Sequence, residues 1–167
     1  MSSSDIDIAH RNQWPRLLMA VPASQVHAVV KGLARRLAVE DMQLAQSGLG
    51  LLQLRDGALG EAYFPGEIPL ARARVRVTDQ TGARCEGAAL LMDDRASLAR
   101  AIAILDAVLA GGLDGNDEAA PLLAEGARFI QRQQSERKAM MAATKVNFSL
   151  MGAEENTDEE AEEEHED

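Results

Sequence analysis

The sequence predicts an α+β protein, and three observations carry that prediction. Apolar residues recur at helical spacing near both ends of the chain, and they alternate strictly in its middle. Aromatic residues make up only 3%. Ala, Leu, Val and Ile must therefore build the core, as they do in helix-rich and α+β proteins. The expected architecture is an antiparallel sheet of about four strands flanked by N-terminal and C-terminal helices, with a disordered acidic tail.

Each element follows from local pattern. Residues 1–9 form a flexible start. A short helix is expected over about 10–20, with Trp14, Leu17 and Leu18 on one side, and Pro22 interrupts it. Ser24 is the expected cap of a second helix, along which Val26, Val29, Val30, Leu33 and Leu37 recur at helical spacing. From Asp41 the period becomes two. Met42 and Leu44 alternate, Ser47-Gly48 signals a turn, and Leu49 to Arg55 is expected as a second strand. A loop with Gly57, Gly60, Pro65, Gly66 and Pro69 follows. Ala71 to Val77 alternates as a half-buried strand does, Asp79-Gln80-Thr81-Gly82 supplies a hairpin turn, and Arg84 to Leu91 is the return strand.

Asp94 is the expected cap of a third helix carrying Leu98, Ile102, Leu105 and Leu109, which Gly111-Gly112 stops. A longer helix follows Asp114 to Glu118 and ends near Ala143. Its stripe of Leu122, Leu123, Ile130 and Met141 is thin, as on helices that face a partner or solvent. Lys145 to Met151 alternates again, with Val146, Phe148 and Leu150 on one face. One domain over 10–152 is expected, with 144–152 as a docking segment and 153–167 as the disordered tail.

Charge and composition exclude several function classes. The tail from Ala153 to Asp167 holds ten of the 27 acidic residues and no Lys or Arg, which leaves 17 acids against 17 bases elsewhere. A neutral body with an anionic tail argues against non-specific nucleic-acid binding. A single cysteine, Cys85, allows no intrachain disulfide. No stretch has the length and apolarity of a membrane span, and the start has no secretory signal pattern, so a cytoplasmic location is expected. His10, His27 and His165 are scattered, and no HxxxH or CxxC spacing exists, so no metal site is expected. There is no GxSxG elbow or GxxxxGK[ST] loop, and no catalytic residue is assigned. Cys85 reads as a small core residue on a strand.

Two groups of residues remain as candidates. Arg72, Arg74 and Arg76 project from one face of one strand. They form a solvated face paired with acids such as Glu86, or a face that meets a phosphate or an acidic partner. Val146, Phe148 and Leu150 either close the chain's own sheet or add to the sheet of another subunit.

The order of short motifs resembles the PhnG family, a small subunit of the bacterial phosphonate carbon–phosphorus lyase system. The resemblance is spread over most of 11–152. Arg11 and Trp14 followed by Leu17-Leu18 resemble its Arg-x-x-Trp opening, and Ser47-Gly48-Leu49 its entry to a strand. Gly60, Phe64 and Gly66-Glu67 resemble its Gly, Phe, Gly-Glu loop, which adds Gly66 and Glu67 to the candidate face. Arg72, Val75 and Arg76 fit its Thr-Arg-Cys-x-Val-Arg strand. Asp106-Ala107 fits the end of its central helix, and Thr144-Lys145-Val146, Phe148, Met151 and Gly152 its C-terminal segment. The chain departs from the pattern at Ala71 and Ala73, at Asp93-Asp94-Arg95, at Leu98-Ala99-Arg100 and at Ser149.

The resemblance implies an accessory subunit without chemistry of its own. Its partners would be PhnH-, PhnI- and PhnJ-type proteins, in a transferase complex that displaces adenine from ATP with methylphosphonate. The implied product is α-D-ribose 1-methylphosphonate 5-triphosphate. ATP would be a co-substrate of the complex, and this chain would bind no cofactor. The alternative is a stand-alone module that binds an anionic metabolite on Arg72, Arg74 and Arg76.

Overall fold

The computed structural model describes residues 8–143. A single 3₁₀ turn, Arg11–Gln13, leads into α1 (Trp14–Ala20) and α2 (Ala23–Leu33). Then come β1 (Leu37–Leu51), β2 (Leu54–Arg55), β3 (Ala62–Tyr63), β4 (Glu67–Asp79) and β5 (Arg84–Leu91), followed by α3 (Ala96–Gly111) and α4 (Asn116–Ala143). The main sheet is antiparallel in the order β1-β4-β5, and β2 and β3 form a small second sheet. The structure divides into two units, Met1–Gln131 and Arg132–Asp167. The expected docking segment 144–152, with Val146, Phe148 and Leu150, and the acidic tail lie outside the described residues.

The alternation of β4 does what its sequence predicts. Ala71, Ala73, Val75 and Val77 are buried under α3, while Arg72, Arg74 and Arg76 stand on the other face. Helix α3 packs on β4 and β5, and α1 and α2 pack on it as well. Every residue from Ala101 to Val108 is consequently buried, and this helix shows no polar side there. Gly112 ends it in the left-handed conformation with φ +56°, which a glycine adopts without a Cβ clash.

Several local expectations give way to tertiary pairing. Ser47-Gly48 is not a turn: Ser47 and Gly48 pair with Ala71 and Leu70 inside one long strand. The separate strand expected from Leu49 to Arg55 is thus the end of β1 plus β2, and β2 pairs with β3 inside the glycine-rich loop. Leu37 starts β1 and does not extend the apolar face of α2. Ser24 does not cap α2, because Pro22 with φ −52° already occupies the N-cap position and its carbonyl accepts from Gln25 and Val26. Asp94 does not cap α3 either. Arg95 is the N-cap residue, and Asp93 accepts from its backbone N–H at 2.8 Å and from its guanidinium. Those contacts with Arg95, its side chain first, hold the Asp93 carboxyl down at about 2.

Two features lock α3 to the sheet. At Gly87 the strand backbone lies so near the helix that an added Cβ would sit 2.0 Å from the Ala103 carbonyl oxygen. Asp106 is buried at 4% exposure, and Arg11 forks onto it with Nε to Oδ1 at 2.9 Å and Nη2 to Oδ2 at 2.7 Å. The same carboxylate accepts from the Ala88 backbone N–H at 3.0 Å, and Arg11 Nη2 also donates to the Glu86 carbonyl at 2.9 Å.

Two outcomes follow for stability. Gly87→Ala should cost about 2 kcal/mol in urea unfolding, because α3 must move off β5; a change below about 0.5 kcal/mol would contradict the close approach. Arg11→Ala should cost about 3 kcal/mol by leaving a buried carboxylate without its cation. Adding Asp106→Asn should then restore part of that loss, whereas additive damage would show that the carboxylate was not the source.

Candidate functional site

The candidate face is the side of the sheet turned away from α3. The β4 register places Arg76 between Glu40 of β1 and Glu86 of β5, Arg74 between Gln43 and Ala88, and Arg72 between Gln46 and Leu90. Antiparallel pairing thus brings side chains of three strands together on one surface. Glu86 takes both of its arginine neighbours: Arg76 Nη2 reaches Oε1 at 2.8 Å, and Arg74 Nη2 reaches Oε2 at 2.7 Å. Arg76 Nη1 also donates to Glu40 at 3.0 Å.

This chain of contacts has an electrostatic signature. The Arg76 hydrogen bond, followed by that of Arg74, holds the Glu86 carboxyl below its ordinary value of 4.5. Glu86 in turn raises the Arg76 guanidinium. Two cations and two carboxylates alternate along this stretch, so its local charge is balanced. Arg72 differs, since it donates to the neutral Gln46 oxygen at 3.4 Å. Of the three arginines, Arg72 keeps the most capacity for a further anion.

The remaining candidates lie elsewhere. Gly66 has φ +124° in the exposed loop before β4, and Glu67 opens that strand at the far end from Arg76. Their distance along the strand separates them from the ion-paired group. Cys85 is half-buried beside Glu86, and its thiol faces the Glu86 carbonyl at 3.6 Å. Arg76, Arg84, Cys85 and Glu86 line an open cleft of ≈ 400 Å³. His10 and His27 are exposed, and no cluster of metal-binding side chains exists among the described residues. No single helix among them is long and apolar enough to cross a membrane.

The surface changes character toward the far end of the β1–β4 ribbon. Leu49, Leu51 and Leu59 are 66, 67 and 78% exposed, and Leu52, Leu54, Tyr63 and Phe64 are also exposed. A mostly apolar cleft of ≈ 300 Å³ lies between this end and Leu90 and Met92 of the neighbouring strand end. Reading the chain element by element misses this patch, because the strand pattern hides how far β1 runs past the helices. It also misses the Arg11–Asp106 pair. A lone carboxylate in the otherwise apolar run from Ala101 to Ala110 was its available signal.

A carboxylate depressed in the folded state stabilises above its unfolded value, and that stabilisation is lost as pH falls through the folded value. Stability should therefore fall as pH drops below the ordinary 4.5 of Glu86 and continue falling toward the about 2 of Asp93. In a carbon-detected NMR titration, Arg76→Gln should move the Glu86 midpoint up, and further than Arg74→Gln does. An unchanged midpoint would contradict the pairing.

Comparison with known families adds what the geometry leaves open. The family model described as phosphonate metabolism protein PhnG matches residues 9–152, which spans α1 to α4 and every strand. Arg11, near the start of that match, and Asp106, within its central helix, are the two halves of the ion pair that ties the N-terminal turn to α3. With most of its length covered, the chain belongs to the PhnG family of phosphonate metabolism proteins.

Proposed function

We propose that this protein is an accessory subunit of the complex that displaces adenine from ATP with methylphosphonate, giving α-D-ribose 1-methylphosphonate 5-triphosphate. Its partners in that transferase are PhnH-, PhnI- and PhnJ-type subunits, in the cytoplasm. ATP is a co-substrate of the assembly and not a ligand of this chain. Membership of the phosphonate metabolism family supports the pathway.

The observation that carries the subunit role is the apolar end of the β1–β4 ribbon. Leu49, Leu51, Leu59, Tyr63 and Phe64 expose large side chains within one short stretch of chain. Leu51 and Leu52 share a mostly apolar cleft with Leu70 and Leu90, and apolar surface gathered in this way marks an interface, because water disfavours it at roughly 25 cal/mol per Å². Leu70 and Leu90 lie beside Arg72 in an adjoining cleft of ≈ 480 Å³, so the apolar end runs directly into the arginine face. A partner seated there would bury leucines and meet Arg72 at its rim, the usual layout of an interface.

The second role, a stand-alone binder of an anionic metabolite on Arg72, Arg74 and Arg76, is less favoured. An incoming phosphate would have to displace Glu86 from two arginines and Glu40 from one. Calorimetry of the chain alone with nucleotides and phosphonates should show no heat at about millimolar ligand, equivalent to about 4 kcal/mol of binding. Measurable heat lost in Arg72→Ala would favour the second role.

Co-expression with PhnH-, PhnI- and PhnJ-type proteins should yield one co-eluting assembly. Leu51→Asp with Tyr63→Asp should release this chain from it, while its own unfolding midpoint changes little. If the chain elutes as a stable monomer and the others assemble without it, the subunit role fails.

A further inference from the structure

We propose that the open edge of β1 from Ser47 to Leu51 receives an extended, uncharged segment of a partner subunit, which adds to the sheet as a further strand. The proposal rests on the subunit role and names the surface and backbone groups that serve it.

The direction of the backbone groups can be worked out from the register. The Asp79 N–H donates to the Ala83 carbonyl at 2.9 Å, across the β4–β5 hairpin. Backbone direction alternates along a strand, so odd-numbered β4 residues face β5 and even-numbered ones face β1. The even residues Arg72, Leu70 and Ile68 stand opposite Gln46, Gly48 and Gly50. Those three residues of β1 make the ladder. Ser47, Leu49 and Leu51 therefore turn their N–H and C=O groups outward, on the side where β1 has no neighbour among the described residues.

Within the main sheet, the other edge stretches carry guards, and among the described residues this one carries none. On β5, Arg11 occupies the Glu86 carbonyl and Asp106 occupies the Ala88 N–H. Beyond the end of β5, which pairs no further than Ala71, the exposed side of β4 carries Pro69, a residue without a donor. The first half of β1 has register shifts at Asp41/Gln43 and Gln43/Gln46, and Arg100 grips Asp41 there through two bonds of 2.7 and 3.0 Å. From Gln46 to Leu51 the pairing is regular, and no charged residue occurs from Met42 to Leu54. Proteins block free edges with charges, prolines and bulges, and this chain uses all three elsewhere.

The side chains define the occupant. A strand laid along this edge would set its residues beside Leu49 and Leu51, which are mostly exposed. Apolar cross-strand neighbours fit there, and a charged one would be buried without a counter-ion. Main-chain bonds would supply attachment, and the leucines would supply choice of partner.

Residue-resolved hydrogen exchange tests the proposal on the unmodified chain, alone and in the co-expressed assembly. Alone, the amides of Ser47, Leu49 and Leu51 should exchange freely, and those of Gly48 and Gly50 should be slowed. In the assembly, the first three should slow by about 100-fold or more. Leu49→Pro removes an outward donor and no ladder bond, so it should weaken assembly by at least about tenfold, and by more than Leu49→Ala. If Leu49→Pro does not fold, the exchange result decides. An assembly that forms without slowing these amides overturns the edge proposal and leaves the subunit role standing. Slowing that grows with concentration of the chain alone assigns the edge to a second copy and overturns the partner segment. If no assembly forms, the subunit role and the edge proposal fall together.

Discussion

Asp106 is the one buried charged residue among the described residues, and three parts of the chain converge on it. It holds Arg11 from the N-terminal turn and the Ala88 N–H from β5, while its own backbone belongs to α3. A carboxylate in an apolar interior is costly unless its lone pairs are filled. Here a forked guanidinium and a backbone donor fill them. The N-terminal turn is thereby fixed against the sheet, and α1 follows it directly. Gly87 and Ala107 lie beside the pair, and their small size lets strand and helix come close enough for the carboxylate to reach β5. The ion pair also closes one edge of the sheet, so a single contact serves packing and edge protection together.

Much of the fold was legible because local pattern and tertiary demand agree in those places. The alternation from Ala71 to Val77 matches a strand with one buried face, and the Asp79–Gly82 turn sets the register of β5. The Gly111-Gly112 stop likewise needs nothing beyond its own backbone freedom. The misreadings share another cause. Gly48 looks like a turn residue, but pairing with Leu70 on a distant strand holds it extended, and no local window contains that partner. Ser24 and Asp94 are good caps in isolation, yet a neighbouring proline and arginine take the position first. The arginine face was legible as a face. Its pairing with Glu86 was legible too, while the second acid, Glu40, was not, because only the pairing of β1 with β4 brings it beside Arg76.

The same long strand links fold to function. Had β1 ended at Ser47, the ribbon would stop near the helices and its apolar end would not exist. Its extension carries Leu49 and Leu51 beyond the cover of α3 and leaves a regular, uncharged edge. Membership of the phosphonate metabolism family gives such a surface a context. In the proposed subunit role, chemistry resides in the partners and this chain contributes an apolar ribbon beside a charged face on which Arg74 and Arg76 are paired with acids. The division explains why Arg74 and Arg76 are satisfied internally while the leucines are not.

The most direct measurement is site-specific photo-crosslinking in the co-expressed assembly. A photoreactive residue in place of Tyr63 or Leu51 should attach this chain to another subunit in high yield, and one in place of Ala28 on α2 should not. Crosslinks from Ala28 alone, or none from the ribbon in an assembly that contains this chain, would contradict a subunit that docks through its apolar ribbon.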